Sequence, residues 1–145
     1  MCLRQLANYR DHASGFRDAG FDLAALAVDE PVRSEAVRRE NKLPFPILCD
    51  TRREVIEAWG IINHKEKGGI AEPAIFVVDR GRRVLFGSVD GEFSRVGAAA
   101  LLEALRNHSS GANSPAPRRH FIIATLGDYW RAARGVIRFG VRSSR

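Results

Sequence analysis

The chain has 145 residues, of which 45% are hydrophobic and 28% charged, with 13 glycines and two cysteines. This length and composition predict one soluble domain, and they exclude a solenoid, a coiled coil, a disordered chain and a disulfide-rich secreted protein. The apolar runs are far shorter than the roughly 18–20 residues of a membrane-spanning helix. Because the first residues also lack the apolar core of a signal peptide, a cytoplasmic location is the default expectation.

The positive charge is concentrated at one end of the chain. The formal net charge is +6. Residues 115–145 hold seven arginines and a single acid, Asp128, and so carry all of that charge, whereas residues 1–114 hold 16 basic and 16 acidic residues. A neutral main domain has no electrostatic footprint for nucleic acid, so no nucleic-acid partner is expected.

The first forty residues predict a helix, a strand and a second helix. Apolar residues recur at helical spacing over 3–19, and Gly20 ends that helix. The apolar run 21–28 has the length of a strand that is covered on both faces. A short exposed helix is predicted over 31–41, because it begins at a proline.

The middle of the chain predicts an extended segment followed by a capped helix. Each proline within 43–46 disfavours α geometry in the residue before it, so this segment must be extended. Asp50 and Thr51 predict a cap for a helix over 52–59, with Glu54 completing a capping box.

The clearest local pattern is a β-hairpin followed by a last helix. The buried strand 74–79, a turn at Arg80-Gly81 and a second strand over 82–89 predict the hairpin. Ser94 is predicted to cap the helix that follows. The apolar stripe of that helix is Val96, Ala99, Leu102 and Leu105.

This order of elements indicates an α/β fold with helices flanking a layered sheet. We assign residues 1–107 to that domain, 108–119 to a linker rich in Ser, Gly, Asn and Pro, and 120–145 to a basic tail that is amphipathic or disordered. An amphipathic tail would place its arginines against an acidic partner or an anionic membrane. Its apolar stripe is Leu126, Trp130, Ala133 and Ile137.

Four stretches carry a resemblance to a known family. They are Cys2-Leu3-Arg4-Gln5-Leu6, Leu26-Ala27-Val28-Asp29, the segment 43–50 (LPFPILCD) and the segment 69–80 (GIAEPAIFVVDR). Their order and spacing resemble the peroxiredoxin branch (alkyl hydroperoxide reductase and thiol-specific antioxidant proteins) of the thioredoxin fold. Together they cover about residues 2–106.

The resemblance implies a thiol-dependent peroxidase that reduces hydrogen peroxide or alkyl hydroperoxides. Cys2 matches the peroxidatic cysteine at a helix N-terminus, where unpaired N–H groups lower a thiol pKa. Its sulfur would become a sulfenic acid that a thioredoxin- or glutathione-type thiol reduces. Pro73 matches the proline that precedes the hairpin with a cis bond, and Gln5 lies at an accessory position of the motif. Homo-oligomers are also expected.

The sequence departs from the family pattern in three ways. The family carries Thr or Cys three residues before the matched cysteine, and this chain has no such residue. Glu72 stands where the family often has an arginine. Arg95 could replace that arginine, although we interpret it as a solvated charge at a helix N-terminus. The family strand that lies between the strands matched by 21–28 and 74–79 has no counterpart, so we expect an N-terminally truncated chain with a gap in its sheet.

Other candidate residues have simpler interpretations. Cys49 is interpreted as a buried inert thiol rather than a resolving cysteine, and Trp59 as core packing. The four histidines lack metal-ligand spacing, so neither a metal nor another cofactor is expected. Two alternatives stay open: a thiol–disulfide oxidoreductase of the thioredoxin type, and a catalytically silent thioredoxin-like module.

Overall fold

The computed structural model describes residues 3–65, 68–90, 94–109 and 119–121. In chain order the elements are α1 Leu3–Asp11, α2 Ala13–Asp18, β1 Ala25–Ala27, α3 Pro31–Glu40, β2 Ile47–Cys49, α4 Glu54–Ala58, β3 Ile62–Asn63, β4 Ile70–Ala71, β5 Ala74–Val78, β6 Val84–Val89, β7 Ser94–Val96, α5 Ala98–Ser109 and β8 Arg119–Phe121. The fold class is α/β, as predicted. Within these ranges the helices are too short or too polar to cross a membrane.

The strands form four separate pairs. β1 runs parallel to β2, with Ala25 opposite Ile47. β5 and β6 form the predicted antiparallel hairpin, with Ala74 opposite Val89. β3 pairs with β4 and β7 pairs with β8. In the described part of the chain no strand joins β1 to β5, and the two pairs belong to separate sheets.

The predicted helix over 3–19 is divided into α1 and α2 at His12. The His12 N–H donates to the carbonyl oxygen of Tyr9, three residues back, at 3.3 Å. The carbonyl oxygen of Asn8, four residues back, instead lies 2.9 Å from Nδ1 of the His12 ring. The helix is interrupted because this side chain occupies an acceptor that a regular helix reserves for the backbone.

Gly20 ends α2 as predicted. Its φ is +83°, a left-handed conformation that favours glycine. The N–H of Gly20 donates to the Arg17 oxygen and that of Phe21 to the Phe16 oxygen, both at 2.9 Å. This pair of bonds is a Schellman motif, which turns the chain sharply toward β1.

The main core lies between α1, α2, α5 and one face of the β5–β6 hairpin. The rings of Tyr9 and Phe16 stack with centroids 5.8 Å apart, and Phe16 is 1% exposed. The buried members of this cluster are Leu6, Tyr9, Phe16, Leu43, Phe45, Val77, Val96, Ala98, Leu101, Leu102 and Leu105. Leu43 and Phe45 contribute because segment 43–46 is extended, so that its alternate side chains point inward.

The α4 helix is shorter than predicted and its cap differs. It spans Glu54–Ala58, and a carboxylate oxygen of Asp50 accepts the N–H groups of Val55 and Ile56, each at 3.0 Å. Asp50 therefore caps the helix as expected, whereas the residue at the N-cap, Arg53, is left-handed with φ +63°. Since α4 begins at Glu54 itself, the capping box predicted from Thr51 does not form.

The hairpin loop has three residues rather than the predicted two. Asp79 and Arg83 close it: the Asp79 N–H donates to the Arg83 oxygen at 2.9 Å. The Asp79 carboxylate also accepts the Arg83 N–H and Nε, and these hydrogen bonds lower the pKa of Asp79. The left-handed residue is Arg82, with φ +63°, and not Gly81. A type I turn followed by one left-handed residue explains the longer loop.

The predictions around α5 were partly wrong. Ser94 lies in β7 and not at the start of the helix, which begins four residues later, so it is not the cap. The helix extends to Ser109, into the stretch assigned to the linker, and 119–121 form β8 where the tail was expected to begin. Residues 110–118 and 122–145, which hold most of the predicted linker and tail, lie outside the described residues.

Candidate functional site

A pocket of about 340 Å³ lies between the first turns of α1 and the junction of β7 with α5. Its lining residues are Arg4, Gln5, Asn8, Arg95, Val96, Gly97, Ala98 and Ala99. The helical rise places Arg4, Gln5 and Asn8 on adjoining faces of α1 that point toward α5. Gln5, predicted as an accessory residue, is half-buried here.

Arg95 is buried in this pocket, which corrects its interpretation as a solvated charge. The residue is 7% exposed, and it belongs to β7 rather than to a helix N-terminus. β7 pairs with β8, and this pairing places Arg95 opposite His120. A guanidinium in such a site acts through a lower effective dielectric than one in water.

Three hydrogen bonds hold the β7–α5 junction in place. The Asn8 side-chain oxygen accepts the Ala98 N–H at 2.9 Å, and the Tyr9 hydroxyl donates to the Val96 carbonyl oxygen at 3.2 Å. On the other side, Asp90 accepts the Val96 N–H at 3.3 Å. Asp90 is itself buried and accepts the Ser88 hydroxyl at 2.7 Å. Two consecutive residues of α1 therefore fix the strand that carries Arg95.

The electrostatics of the pocket favour an anion. Two arginines and the N-terminus of the 12-residue helix α5 contribute positive potential. The lining residues include no Asp or Glu, although the Asp90 carboxylate lies behind Val96. Cys2, the predicted nucleophile, lies outside the described residues. In sequence it directly precedes Leu3, the first residue of α1, and is two residues from Arg4.

Pro73 does not have the expected cis bond. No peptide bond in the described ranges is cis, and Glu72–Pro73 is among them. The Glu72 N–H donates to the Ile61 oxygen and the Pro73 oxygen accepts the Asp90 N–H, both at 2.7 Å. These bonds fix the segment in an extended form that leads straight into β5, and the trans isomer is intrinsically favoured by about 0.5–1 kcal/mol.

The structure does not bring Cys49 to the pocket. Cys49 ends β2, is half-buried, and its thiol lies 3.8 Å from the Ile47 carbonyl oxygen. Trp59, predicted as core packing, is 42% exposed and packs edge-on against Phe76. Across the described ranges no group of three or more His, Cys, Asp or Glu side chains is arranged to hold a metal ion.

Sequence reasoning missed Arg4, Asn8 and Asp90 as parts of this site. The signal for the first two was present: with Gln5 they form a polar stripe beside the apolar positions Leu3, Leu6 and Tyr9 of the helix. Asp90 had no such signal, because its role depends on contacts with Val96 and Ser88 that only the folded chain brings together.

Comparisons with known proteins bear on the family and the fold of the chain. The sequence profile of the AhpC/TSA family matches residues 1–86. A Mycobacterium tuberculosis protein assigned as a peroxiredoxin is 31% identical over 88 residues, which are 58% of this chain and 56% of that protein. This chain thus spans a little over half the length of that relative.

Solved structures give the same result for the fold. Mycobacterium tuberculosis AhpC superposes with a TM-score of 0.67 at 24% identity, covering 79% of this chain and 65% of that one. Vibrio vulnificus Prx3 superposes with a TM-score of 0.66 at 23% identity, covering 72% and 68%. These similarities identify a thioredoxin-type fold of the peroxiredoxin kind. Because the family profile matches more than half of the chain, the protein belongs to the AhpC/TSA family.

Proposed function

We propose that the protein is a thiol-dependent peroxidase in which Cys2 is the nucleophile. The observation that carries the proposal is the pocket beside the first turn of α1, where Arg4, buried Arg95 and the N-terminus of α5 favour an anion. A cysteine thiolate is such an anion, and so is the oxygen that leaves a peroxide. Family membership supports the same chemistry, and Vibrio vulnificus Prx3 has been solved in complex with hydrogen peroxide.

The proposed reaction has two steps. The Cys2 thiolate attacks one oxygen of the peroxide, so that an S–O bond forms as the O–O bond breaks. Sulfur is oxidised to the sulfenic acid, and the other oxygen leaves as an alcohol or water after taking up a proton. A small or protein thiol then displaces water from the sulfenic acid, and a second thiol releases Cys2 and forms the external disulfide. We propose a thioredoxin- or glutathione-type system of the cytoplasm as the source of these thiols.

The residues of the pocket would have distinct roles. Arg95 would stabilise negative charge on the reacting sulfur and on the leaving oxygen, which a buried guanidinium does better than a solvated one. The Gln5 amide can donate to the same oxygen. Asn8 is a positioning residue, because it holds the Ala98 N–H and through it the strand end that carries Arg95.

The proposal is tested by intact-mass spectrometry after a stoichiometric amount of hydrogen peroxide in the presence of a sulfenic-acid trap. We expect rapid single labelling that is lost in Cys2→Ser and retained in Cys49→Ser, the matched control. Arg95→Gln should slow labelling by about 10²-fold, the usual effect of removing one charge-stabilising donor. Labelling of the two cysteines at equal, slow rates would instead indicate a catalytically silent module.

The same preparation separates peroxidase activity from thiol–disulfide exchange. A peroxidase consumes hydrogen peroxide with a dithiol as reductant and leaves a disulfide-bonded peptide substrate unchanged. A thiol–disulfide oxidoreductase does the reverse. The match to the AhpC/TSA family favours the first outcome.

A further inference from the structure

The β5–β6 hairpin ends in exposed apolar side chains. We call residues 78–85 the hairpin tip. Val78, Val84 and Leu85 flank its loop and are 43%, 54% and 49% exposed. Val78 lies opposite Val84, and Leu85 is the extra residue of a bulge next to this pair. Single exposed apolar residues are normal on a soluble protein, but adjoining ones indicate a contact surface.

The loop of the hairpin tip is cationic. Arg80, Arg82 and Arg83 are exposed, and Asp79 is the one acid of the tip. The Asp79 carboxylate is engaged within the tip, because it accepts the Arg83 N–H at 2.9 Å and the Arg83 Nε at 2.8 Å. The side chains of Arg80 and Arg82 have no partner among the described residues. The tip therefore presents two uncompensated guanidinium groups beside its apolar side chains.

The conformation of Arg82 costs the fold stability. Its φ is +63°, in the left-handed region, although Gly81 precedes it in the same loop. An L-residue is strained in this region and glycine is not. Since residues held in strained conformations are characteristic of functional sites, an arginine at this position points to a role that the fold itself does not require.

We propose that the hairpin tip binds the surface of an anionic phospholipid membrane. Arg80 and Arg82 would bind lipid phosphates, to which the planar guanidinium is well matched. Val78, Val84 and Leu85 would enter the boundary between headgroups and acyl chains, to a depth of about 5–10 Å. Charge complementarity selects this partner, because a membrane interface places anionic phosphates directly beside hydrocarbon and the tip places cations directly beside apolar side chains.

The loop has its shape before it meets a membrane. The Asp79 N–H donates to the Arg83 oxygen at 2.9 Å, and the Arg82 N–H donates to the Asp79 oxygen at 3.0 Å. Because these bonds already order the backbone, binding would lose little conformational entropy. An acidic protein could pair with the arginines as well, but pairing alone would not use the apolar side chains, and this difference separates the two partners experimentally.

Co-sedimentation of the full chain with vesicles of equal parts phosphatidylcholine and phosphatidylglycerol tests the proposal. Arg80→Gln combined with Arg82→Gln should weaken binding by about 30-fold, or roughly fivefold for each arginine at an anionic surface. Arg17→Gln combined with Lys42→Gln removes the same charge from exposed positions outside the hairpin. This control should weaken binding by less than about threefold, because charges more than about 8 Å from the surface are screened at physiological ionic strength.

Two further variants separate the apolar contribution and the effect of folding. Val84→Thr combined with Leu85→Gln keeps the approximate shape of the side chains and should weaken binding by about tenfold, because less apolar area enters the interface. Arg82→Gly should weaken binding roughly fivefold while the folded chain becomes more stable, since the left-handed strain is relieved. Loss of binding in that variant therefore cannot come from unfolding.

Each other result would overturn the proposal. Equal losses in the arginine variant and its control would show attraction by net charge alone. A loss with the arginines but none with the apolar variant would assign the tip to an acidic protein. Equal binding to vesicles of phosphatidylcholine alone would show that anionic lipid is not required. Unchanged binding in the tip variants would place the lipid contact elsewhere, because the arginines of residues 115–145 are present in every variant.

Discussion

Arg82 occupies the left-handed position of the hairpin loop, with φ +63°. An L-residue in this conformation loses roughly 1–2 kcal/mol relative to the right-handed region, and glycine loses none of it. Arg82→Gly should therefore raise the free energy of unfolding by about 0.5–1 kcal/mol, the smaller value reflecting the greater freedom of glycine in the unfolded chain. Urea denaturation measures the change. Arg80→Gly, which removes the same charge from the same loop at a position without positive φ, should give no gain.

Ionisation of Tyr9 makes the free energy of unfolding depend on pH in the alkaline range. Burial, and secondly the Asp90 carboxylate, raise the pKa of Tyr9 well above its usual value. Because the folded-state pKa is the higher one, the contribution of Tyr9 is complete below the unfolded pKa of about 10 and is lost as the pH rises above it. Tyr9→Phe removes the hydrogen bond to the Val96 oxygen, so it should cost about 1 kcal/mol at neutral pH.

The pH series distinguishes this explanation from a simple packing effect. The stability difference between the two proteins should shrink from pH 9 upward, because only the protein with Tyr9 gains a phenolate when it unfolds. Urea denaturation across the range from about pH 7 to 11 follows that difference. The contributions of the other titrating groups cancel in the difference, because both proteins contain them. A constant difference would show that Tyr9 ionises freely in the folded protein.

Arg95 illustrates what can be inferred about one residue from sequence. Its residue type suggested either a substitute for the absent active-site arginine or a solvated charge, and its burial contradicts the second interpretation. Its burial could not be predicted, because it depends on the pairing of β7 with β8, two segments separated by more than twenty residues. Trp59 shows the opposite error: an aromatic side chain at a helix end was expected in the core, but it is 42% exposed and packs edge-on against Phe76.

At the scale of elements, local signals predicted most helices and strands. The proline start of α3, the glycine end of α2 and the apolar run of β5 depend only on neighbouring residues, and each is found in the structure. One prediction failed because a distant group replaced a local one. The start of α5 is capped by Asn8 from α1, ninety residues away, and not by Ser94.

Asn8 therefore provides a test of how α1 and α5 are coupled. Asn8→Ala removes the acceptor for the Ala98 N–H and should cost about 1 kcal/mol, the usual value of a lost helix cap. Asn8→Asp retains the acceptor and adds a negative charge at a helix N-terminus, so its stability should be close to that of the unmodified chain. Thermal denaturation gives these values. Under the proposed function, Asn8→Ala should also slow sulfenic-acid labelling of Cys2, and Asn8→Asp should restore folding without necessarily restoring that rate.

On the scale of the whole molecule, the sheet is divided. The missing strand expected from the resemblance stays a prediction, and the structure keeps β1 and β5 in separate pairs within the described residues. The core cluster places α1, α2 and α5 on one side of the hairpin, which their separate apolar stripes did not predict. The exposure of the other side could not be inferred, since a strand of continuous apolar residues is expected to be covered on both faces.

The register of the hairpin predicts an alternating pattern of hydrogen exchange along β5. Because the Asp90 N–H bonds to the Pro73 oxygen, the pairs that exchange hydrogen bonds are Ile75 with Ser88 and Val77 with Phe86. The N–H groups of Phe76 and Val78 therefore point away from β6, along an edge with which no described strand pairs. We expect the Ile75 and Val77 amides to exchange slowly and those of Phe76 and Val78 to exchange rapidly, as followed by NMR after transfer to deuterated water. If another strand pairs with this edge in solution, all four amides will be protected, and protection that falls on dilution would identify that strand as part of a second copy.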